Sequence, residues 1–584
     1  MRDREFKFSD GGTSVMQIRA WFIILATVLA LAGASVATAQ TSPPALFFTD
    51  LTAGPNTGNT DTAFTSSGNG AYVTLYGNNL GTVLGSSTVT WNGQNCLTVI
   101  PATGNYTGWG SAHLWYQKII VQVMSTCTPG TGNFVATTAS GTSNGIPFTV
   151  RALGANHIYR AASSGGTHAT VISCRDALTA GDICYVKNLN QTSPSGFSAM
   201  DLGAQRGTSW TSPVSLVVYP GATSVIGGDS IDKGIEQCNG YTPQCPGSGD
   251  HFIILAGFEV HGQTYAISIQ GAQVRYVAER ATCPNATKTP DMPGCFNTIN
   301  NFETLLGNEV YNVGFNRLPD NAGKYQHSFY IGAGHDFEIG WNYSHDGNGG
   351  RLTQFYNGTS ASYNIGFHDN VLLRNVNVDC VTFDVNPGLG AGGVKIYNNV
   401  VGTCGKAPAQ GADFGGSTCM YFQSSGGTPT VAAQAYNNTL YDCGATAAPF
   451  VKGAVNPGVK VDWHDNIIYQ TSASLPYLAS GGGPASNVTG SNNVWSGAGN
   501  GPAQTTGNIN ADPLFVATGS NFKLQAGSPA LGAGVSSWTA GATSAFDVAG
   551  LVRPTPPSIG AYELTSGPPP TKPSPPTNLS IVVN

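Results

Sequence analysis

One phrase recurs along this chain and limits what it can fold into: apolar-x-apolar-x-x-Asn-x-apolar. Its Asn falls at Asn308, Asn342, Asn370, Asn399, Asn438, Asn466 and Asn493, with gaps of 34, 28, 29, 39, 28 and 27 residues. Typical copies are Phe337-Glu338-Ile339-Gly340-Trp341-Asn342 and Val394-Lys395-Ile396-Tyr397-Asn398-Asn399. Between one Asn and the next lie two or three short alternating runs with Gly and Asn turns, and no amphipathic helix. A unit that closes on itself after some 25–30 residues without a helix predicts a right-handed parallel β-helix. Asn repeated at one turn can stack as a side-chain ladder, which makes these asparagines scaffold.

A second column fixes the register. His327-Ser328-Phe329-Tyr330-Ile331, Arg351-Leu352-Thr353-Gln354-Phe355, Asp379-Cys380-Val381-Thr382-Phe383 and Thr418-Cys419-Met420-Tyr421-Phe422 align without gaps. Ile331, Phe355, Phe383 and Phe422 then share one inward position. Cys380 falls on Cys419, and Cys404 on Cys443. Neighbouring coils are about 4.8 Å apart, inside the Cα range of a disulfide, roughly 4.4–6.8 Å. The expectation is therefore two coil-to-coil disulfides, Cys380–Cys419 and Cys404–Cys443. The alternative is Cys380–Cys404 with Cys419–Cys443.

Composition excludes other classes. Only 10% of the 584 residues are charged, against about 25% in ordinary soluble domains, which argues against helical bundles and most α/β enzymes. With 41% hydrophobic residues and a net charge of −6, disorder is not expected either. The 25 Lys and Arg form no basic footprint for nucleic acid.

The N-terminus reads as an export signal (residues 1–39), with the start at Met16. Arg19 precedes an apolar run from Ala20 to Leu31, and Ala37-Thr38-Ala39 before Gln40 is a cleavage site. No later stretch is long and apolar enough to span a membrane, so the expected location is secreted or cell-surface. The twelve cysteines all lie beyond the signal, and an even number in an exported chain predicts disulfides. The remaining ones are Cys96, Cys127, Cys174, Cys184, Cys238, Cys245, Cys283 and Cys295. None has zinc-like spacing.

Residues 45–151 show short alternating strands, the pattern of a small antiparallel sandwich. Val73-Thr74-Leu75-Tyr76-Gly77-Asn78-Asn79-Leu80-Gly81, Thr90-Trp91-Asn92-Gly93 and Gly145-Ile146-Pro147-Phe148-Thr149-Val150 resemble the IPT/TIG family of immunoglobulin-like domains. That resemblance implies a spacer or binding module without catalytic residues, stapled by Cys96–Cys127. Over residues 156–564, Asp176-Ala177-Leu178-Thr179-Ala180-Gly181-Asp182-Ile183-Cys184-Tyr185-Val186 resembles the first coil of secreted pectate-lyase-like β-helix proteins. Asp512-Pro513-Leu514-Phe515, Gly527-Ser528-Pro529-Ala530 and Ile559-Gly560-Ala561-Tyr562-Glu563 are similar to the ends of such bacterial proteins. The resemblance specifies fold more than activity, because the superfold hosts lyases, glycosidases, epimerases and adhesins. Residues 565–584 are a Pro-rich tail, and Thr577–Val583 reads as the start of a further strand.

A solenoid binds where outward side chains of successive coils line up. Here those are Tyr330, Gln354, Thr382 and Tyr421, followed by Tyr356, Asp384 and Gln423, while His327, Arg351, Asp379 and Thr418 open the strands. Aromatic faces and amides in register suit a polysaccharide or cell-surface glycan. β-Elimination on a uronide needs a cation for the carboxylate and a base for the α-proton. Arg351 fits the first role, and His327 or Tyr330 the second. Hydrolysis needs two carboxylates, which Asp379 with Asp384 or Asp346 could supply. Equally, His327, Arg351 and Asp379 suit a salt-bridged ladder at a coil corner. Asn386–Gly393 lacks the helix a phosphate-binding loop requires. His335-Asp336, His345-Asp346 and His368-Asp369 could bind a metal or act as acid and base, but Asp commonly satisfies turn backbone groups and His464-Asp465 repeats the phrase far down the solenoid, which favours turn scaffold. Calcium, which uronide-active β-helices often use, is compatible with the abundant Asp and Asn oxygens, although no EF-hand loop is present. The competing class is a non-catalytic adhesin or glycan-binding solenoid.

Overall fold

Alternation of apolar and polar residues over four or five positions, repeated once per coil, builds three parallel sheets. The computed structural model describes residues 42–152, 157–192, 198–203, 205–237, 250–284, 294–314, 326–332, 334–356, 362–376, 378–384, 393–406, 418–423, 433–444, 451–453, 460–473, 477–480, 488–535 and 545–564. Among these, twelve strands from Ile158–Ala162 to Val488–Ser491 form sheet I. Ten from Ser198–Asp201 to Leu478–Ser480 form sheet II, and eleven from Val225–Gly227 to Ile509–Asn510 form sheet III. Each coil visits II, I and III in turn, and every neighbouring pair is parallel, as in Val381–Asp384 beside Met420–Gln423. This is a right-handed parallel β-helix.

The register is the one expected. Ile331, Phe355, Phe383 and Phe422 pair in succession, with Phe355, Phe383 and Phe422 stacked at centroid spacings of 5.0 and 5.3 Å. At the turn from sheet I to sheet III the Asn ladder is continuous. Each side-chain amide donates to the next Asn Oδ1, from Asn308 to Asn342 at 2.9 Å through to Asn466 to Asn493 at 3.1 Å. The same Oδ1 also accepts the preceding Asn's backbone N–H. The residue before the ladder position is left-handed in five late coils, at Asp369, Asn398, Asn437, Asp465 and Asn492. Asp and Asn tolerate that conformation best, which explains why the phrase doubles its Asn or precedes it with Asp.

The disulfides correct one expectation. Cys380 bonds Cys404 and Cys419 bonds Cys443, with Cα separations of 5.4 and 5.3 Å, so the coil-to-coil pairing Cys380–Cys419 and Cys404–Cys443 is not formed. Residues stacked on neighbouring coils project side by side, like the phenylalanines next to them, whereas a disulfide needs converging Cβ vectors. Cys380, entering sheet II, and Cys404, leaving sheet III, converge across one corner of a single coil. Cys96–Cys127, Cys174–Cys184 and Cys283–Cys295 are also bonded, while Cys238 and Cys245 lie outside the described residues.

The N-terminal part is a sandwich of two five-stranded sheets between Ala45–Thr49 and Ile146–Arg151, mixed only where Ile146–Arg151 runs parallel to Ala53–Pro55. Trp91, Phe134, Phe148 and Val121 fill it. Its other face packs onto the early rungs of sheet I. Tyr185 donates to Tyr72 O (2.7 Å), and Arg160 pairs with Asp61 (2.6 Å). Tyr219, Val217, Ile254 and Leu306 join the sandwich core. A seven-residue helix, Val171–Ala177, buries Val171 and Cys174 against the solenoid core. Among the described residues no helix is long and apolar enough to cross a membrane. The C-terminal segment folds back over sheet III. Arg553 bonds Glu563 (2.8 Å) and Asn398 Oδ1 (2.8 Å), and Trp115 and Asn78 of the sandwich donate to Val548 O and Ala549 O.

Candidate functional site

The connections between strands locate the working face. Every turn from sheet I to sheet III in the later coils is two residues, such as 341–342, 369–370 and 398–399. The segments that flank sheet II are longer and uneven: 312–326 and 403–419 before it, 385–393 and 424–432 after it. In solenoids, insertions gather along one face, and that face is commonly the binding face. Sheet II is therefore the candidate site.

Three of the proposed catalytic residues meet on its entering edge. Arg351 N–H donates to His327 Nδ1 (2.8 Å), and Arg351 Nε lies 3.3 Å from Asp379 Oδ2. Asp379 Oδ1 accepts both N–H and Oγ1–H of Thr418 (2.9 Å each). Burial pushes the Asp379 carboxyl up, against the pull of Arg351 and Thr418. Burial, reinforced by the Arg351 charge, holds His327 well below the usual imidazole value. Because His327 Nδ1 accepts a backbone hydrogen bond, the neutral ring carries its proton on Nε2 and has no lone pair free for proton abstraction. The cluster is thus a polar ladder across three coils. Only Arg351, whose side chain is 22% exposed, reaches outward.

Tyr330 stands one place along, its ring 5.9 Å from that of His327 and 6.3 Å from that of Tyr356. Burial, with Tyr356 and Asp384 adding to it, pushes its phenol above the ordinary value. Tyr356 is 49% exposed. Gln354, Asp384 and Tyr421 occupy the outward positions of the register yet are buried, so among the expected substrate contacts whose side chains are described Tyr356 alone is openly presented. Gln423 pairs with Asp384 through the backbone. Asp379 lies before the strand Val381–Asp384, with its oxygens taken by Arg351 and Thr418, and Asp384 is buried at the strand's far end. Neither carboxylate of this pair is openly presented for hydrolysis. Asp346 lies on sheet III, held by Arg374 at 2.6 Å.

No protein-family pattern and no curated protein matches this chain. Among solved structures it is similar to the pectate lyase Pel9A, with a TM-score of 0.43 and 14% identity over 70% of this chain and 96% of that one.

The strip extends further toward the N-terminus than the sequence alignment reached. Lys233 pairs with Glu236, and the following rungs place Tyr265, Ser268 and Asn297 in the same columns. The signal was weak because those coils precede the first Asn of the ladder. Sheet III carries a second polar cluster, partly legible as His345-Asp346. His345 Nδ1 and Nε2 face Asp346 (2.6 Å) and Glu309 (3.1 Å), and His261 lies likewise between Asp229 (2.8 Å) and Glu259 (3.1 Å). Arg280 joins Glu259 to Glu309. These groups satisfy one another, which is a structural rather than a catalytic arrangement.

Proposed function

We propose that this protein is exported and handles a uronic-acid-containing polysaccharide along sheet II, cleaving it by β-elimination. The carrying observation is Arg351: a guanidinium braced by buried Asp379 at the entering edge of a strip whose outward positions carry the neighbouring Tyr330 and Tyr356 rings. It supplies the cation that neutralises a uronate carboxylate and acidifies its α-proton, while the tyrosine faces take the sugar rings. Tyr330 stands at an outward, partly exposed position, and burial keeps its phenol protonated, so it serves as the acid that protonates the leaving glycosidic oxygen while the α-proton passes to a water-borne base. Export is supported by the disulfides, which persist in oxidising compartments, and by the leader-like N-terminus. The sandwich serves as an IPT/TIG-like module bracing the first coils.

A second reading, a non-catalytic surface glycan binder, is favoured by one observation: His327 and Asp379 spend their polar atoms on Arg351 and Thr418. One experiment separates the two. Purified protein is incubated with pectin, alginate, chondroitin and hyaluronan, and the far-ultraviolet absorbance of unsaturated ends is followed. Lyase activity gives a rise that Arg351→Ala and Tyr330→Phe abolish. Retention on a glycan without any rise establishes the binder, and reducing ends without unsaturation would overturn β-elimination.

A further inference from the structure

Sheet I presents its own outward column: Arg275, Thr304, Glu338, Gly366, Lys395, Gln434 and Asp462. One rung has no side chain. A Cβ built on Gly366 would meet His368 Cδ2 at 3.5 Å and Phe337 O at 3.8 Å, both ordinary contacts. Neither crowding nor a left-handed backbone requires glycine here. Its effect is a gap between Glu338 and Lys395, two rungs or about 10 Å apart, which opens as a cleft of about 440 Å3.

Three kinds of group line the cleft. Trp210 and the 40%-exposed ring of Phe302 stand at one side and Tyr397 at the other. Carboxylates come from Glu338, whose side chain is 52% exposed, and from Asp336. Between them sits His368, placed with care by its surroundings. Its ring stacks on Tyr397 (4.8 Å, 8°) and meets Trp341 edge-on (4.8 Å, 89°). Its Nδ1 is engaged by Asp369 Oδ2 at 2.9 Å, and Asp369 is held in turn by Asn398 (3.0 Å). Nε2 is left facing Glu338 Oε1 at 3.9 Å, too far for a direct hydrogen bond and open to a third group. On the neighbouring rung, a Cβ at Gly340 would lie 2.6 Å from His368 Cε1, so that glycine is what admits the ring.

We propose that this cleft is a second ligand site, for one or two residues of a neutral saccharide. Its volume falls in the range of small-molecule sites, about 300–1,000 Å3. The Trp210 and Phe302 rings on one side supply apolar surface for a pyranose, while Tyr397, stacked between His368 and Tyr436, presents its edge at the other. Glu338 accepts from hydroxyls, Asp336, already bonded to His335 and Asn364, adds negative charge and its remaining lone pairs, and Lys395 and the His368–Asp369 pair complete the polar set. Two carboxylates against one lysine repel a uronate, which sets this site apart from the Arg351 strip and makes the proposal independent of the reading given for sheet II.

The test is calorimetric titration of the full chain with neutral gluco-, galacto- and xylo-oligosaccharides and with oligogalacturonate. The expected result is saturable binding of at least one neutral oligomer. Gly366→Leu, which fills the floor, weakens it tenfold or more, and Trp210→Ala weakens it as well. Matched circular dichroism and melting temperature show that the variants are folded. Saturating oligogalacturonate leaves the neutral affinity unchanged. The proposal is overturned if no neutral oligomer binds by about 10 mM, if a folded Gly366→Leu binds like the parent, or if oligogalacturonate displaces the neutral ligand.

Discussion

Asn399 Nδ2 donates to Asn438 Oδ1 at 2.9 Å, the distance seen between Asn438 and Asn466, although the first pair is separated by 39 residues and the second by 28. The additional residues of the longer coil leave the turn geometry untouched. Insertions and scaffold are thereby decoupled: the turn carries the register and the flanks of sheet II carry the variation.

Replacing a ladder member should therefore be costly wherever it is done. Asn438→Ala leaves the buried Asn399 backbone N–H and one of its two amide N–H groups without an acceptor, the other keeping Phe367 O. The expected loss is about 2–3 kcal/mol, read as a lowered urea midpoint with unchanged slope. Asn438→Asp should cost at least as much, because it removes the donors and places a carboxyl in a buried site.

Peptide mapping of unreduced protein should recover Cys380 with Cys404 and Cys419 with Cys443. Each bond closes a 24-residue separation, for which chain entropy gives about 3 kcal/mol. A Cys380→Ala/Cys404→Ala double variant should melt correspondingly earlier. Recovery of a Cys380–Cys419 peptide would refute the corner geometry.

Asp379→Ala should destabilise by about 3 kcal/mol, since it leaves Thr418 N–H unsatisfied and Arg351 without its counter-ion. Asp379→Asn should cost less, because burial already drives the carboxyl toward its neutral form. Chemical denaturation of the two variants side by side measures the difference.

The sheet III cluster predicts a pH window. Burial pulls His345 down, but its bonds to Asp346 and Glu309 outweigh this and raise it. Glu259 likewise raises His261 against burial. Raised groups stabilise fully below the unfolded value of about 6.5 and lose that stabilisation as pH rises through the folded value. Glu259, Glu309 and Asp346 are depressed, so their contribution is lost as pH falls below about 4. Partial exposure limits each pair to less than about 1 kcal/mol. A His261→Gln/His345→Gln variant should flatten the decline above pH 6.5 in a stability-versus-pH titration while Arg374, Arg280, Tyr343 and Tyr311 remain in place.

Gly340→Ala should displace the His368 ring and cost about 1–3 kcal/mol by overpacking. The readout is a shifted His368 imidazole resonance together with a lower melting temperature.

The register was legible because two columns repeat independently, Asn at the turn and Phe on the inner face of sheet II. Disulfide partners were not, because stacking and corner pairing give the same spacing, and only the direction of the Cβ vectors separates them. The outward strip was located correctly as a column, but exposure was not readable. Gln354 and Asp384 alternate outward like Tyr356 and are nonetheless buried. The His-Asp phrases were read as turn scaffold, and the left-handed φ of Asp336, Asp346, Asp369 and Asp465 supports that for the aspartates. His368 stands differently, beside a cleft created by a glycine that nothing in the sequence distinguishes from the 76 others.

Stacks of identical coils ordinarily fray from an open end, each rung answering only to its neighbours. Here Val548, Ala549 and Gly550, from beyond the last rung, accept hydrogen bonds from Trp115, Asn78 and Asn79 of the first module. The two extremities are buckled together, so peeling one loosens the other, and melting is expected as a single event that spans the whole molecule.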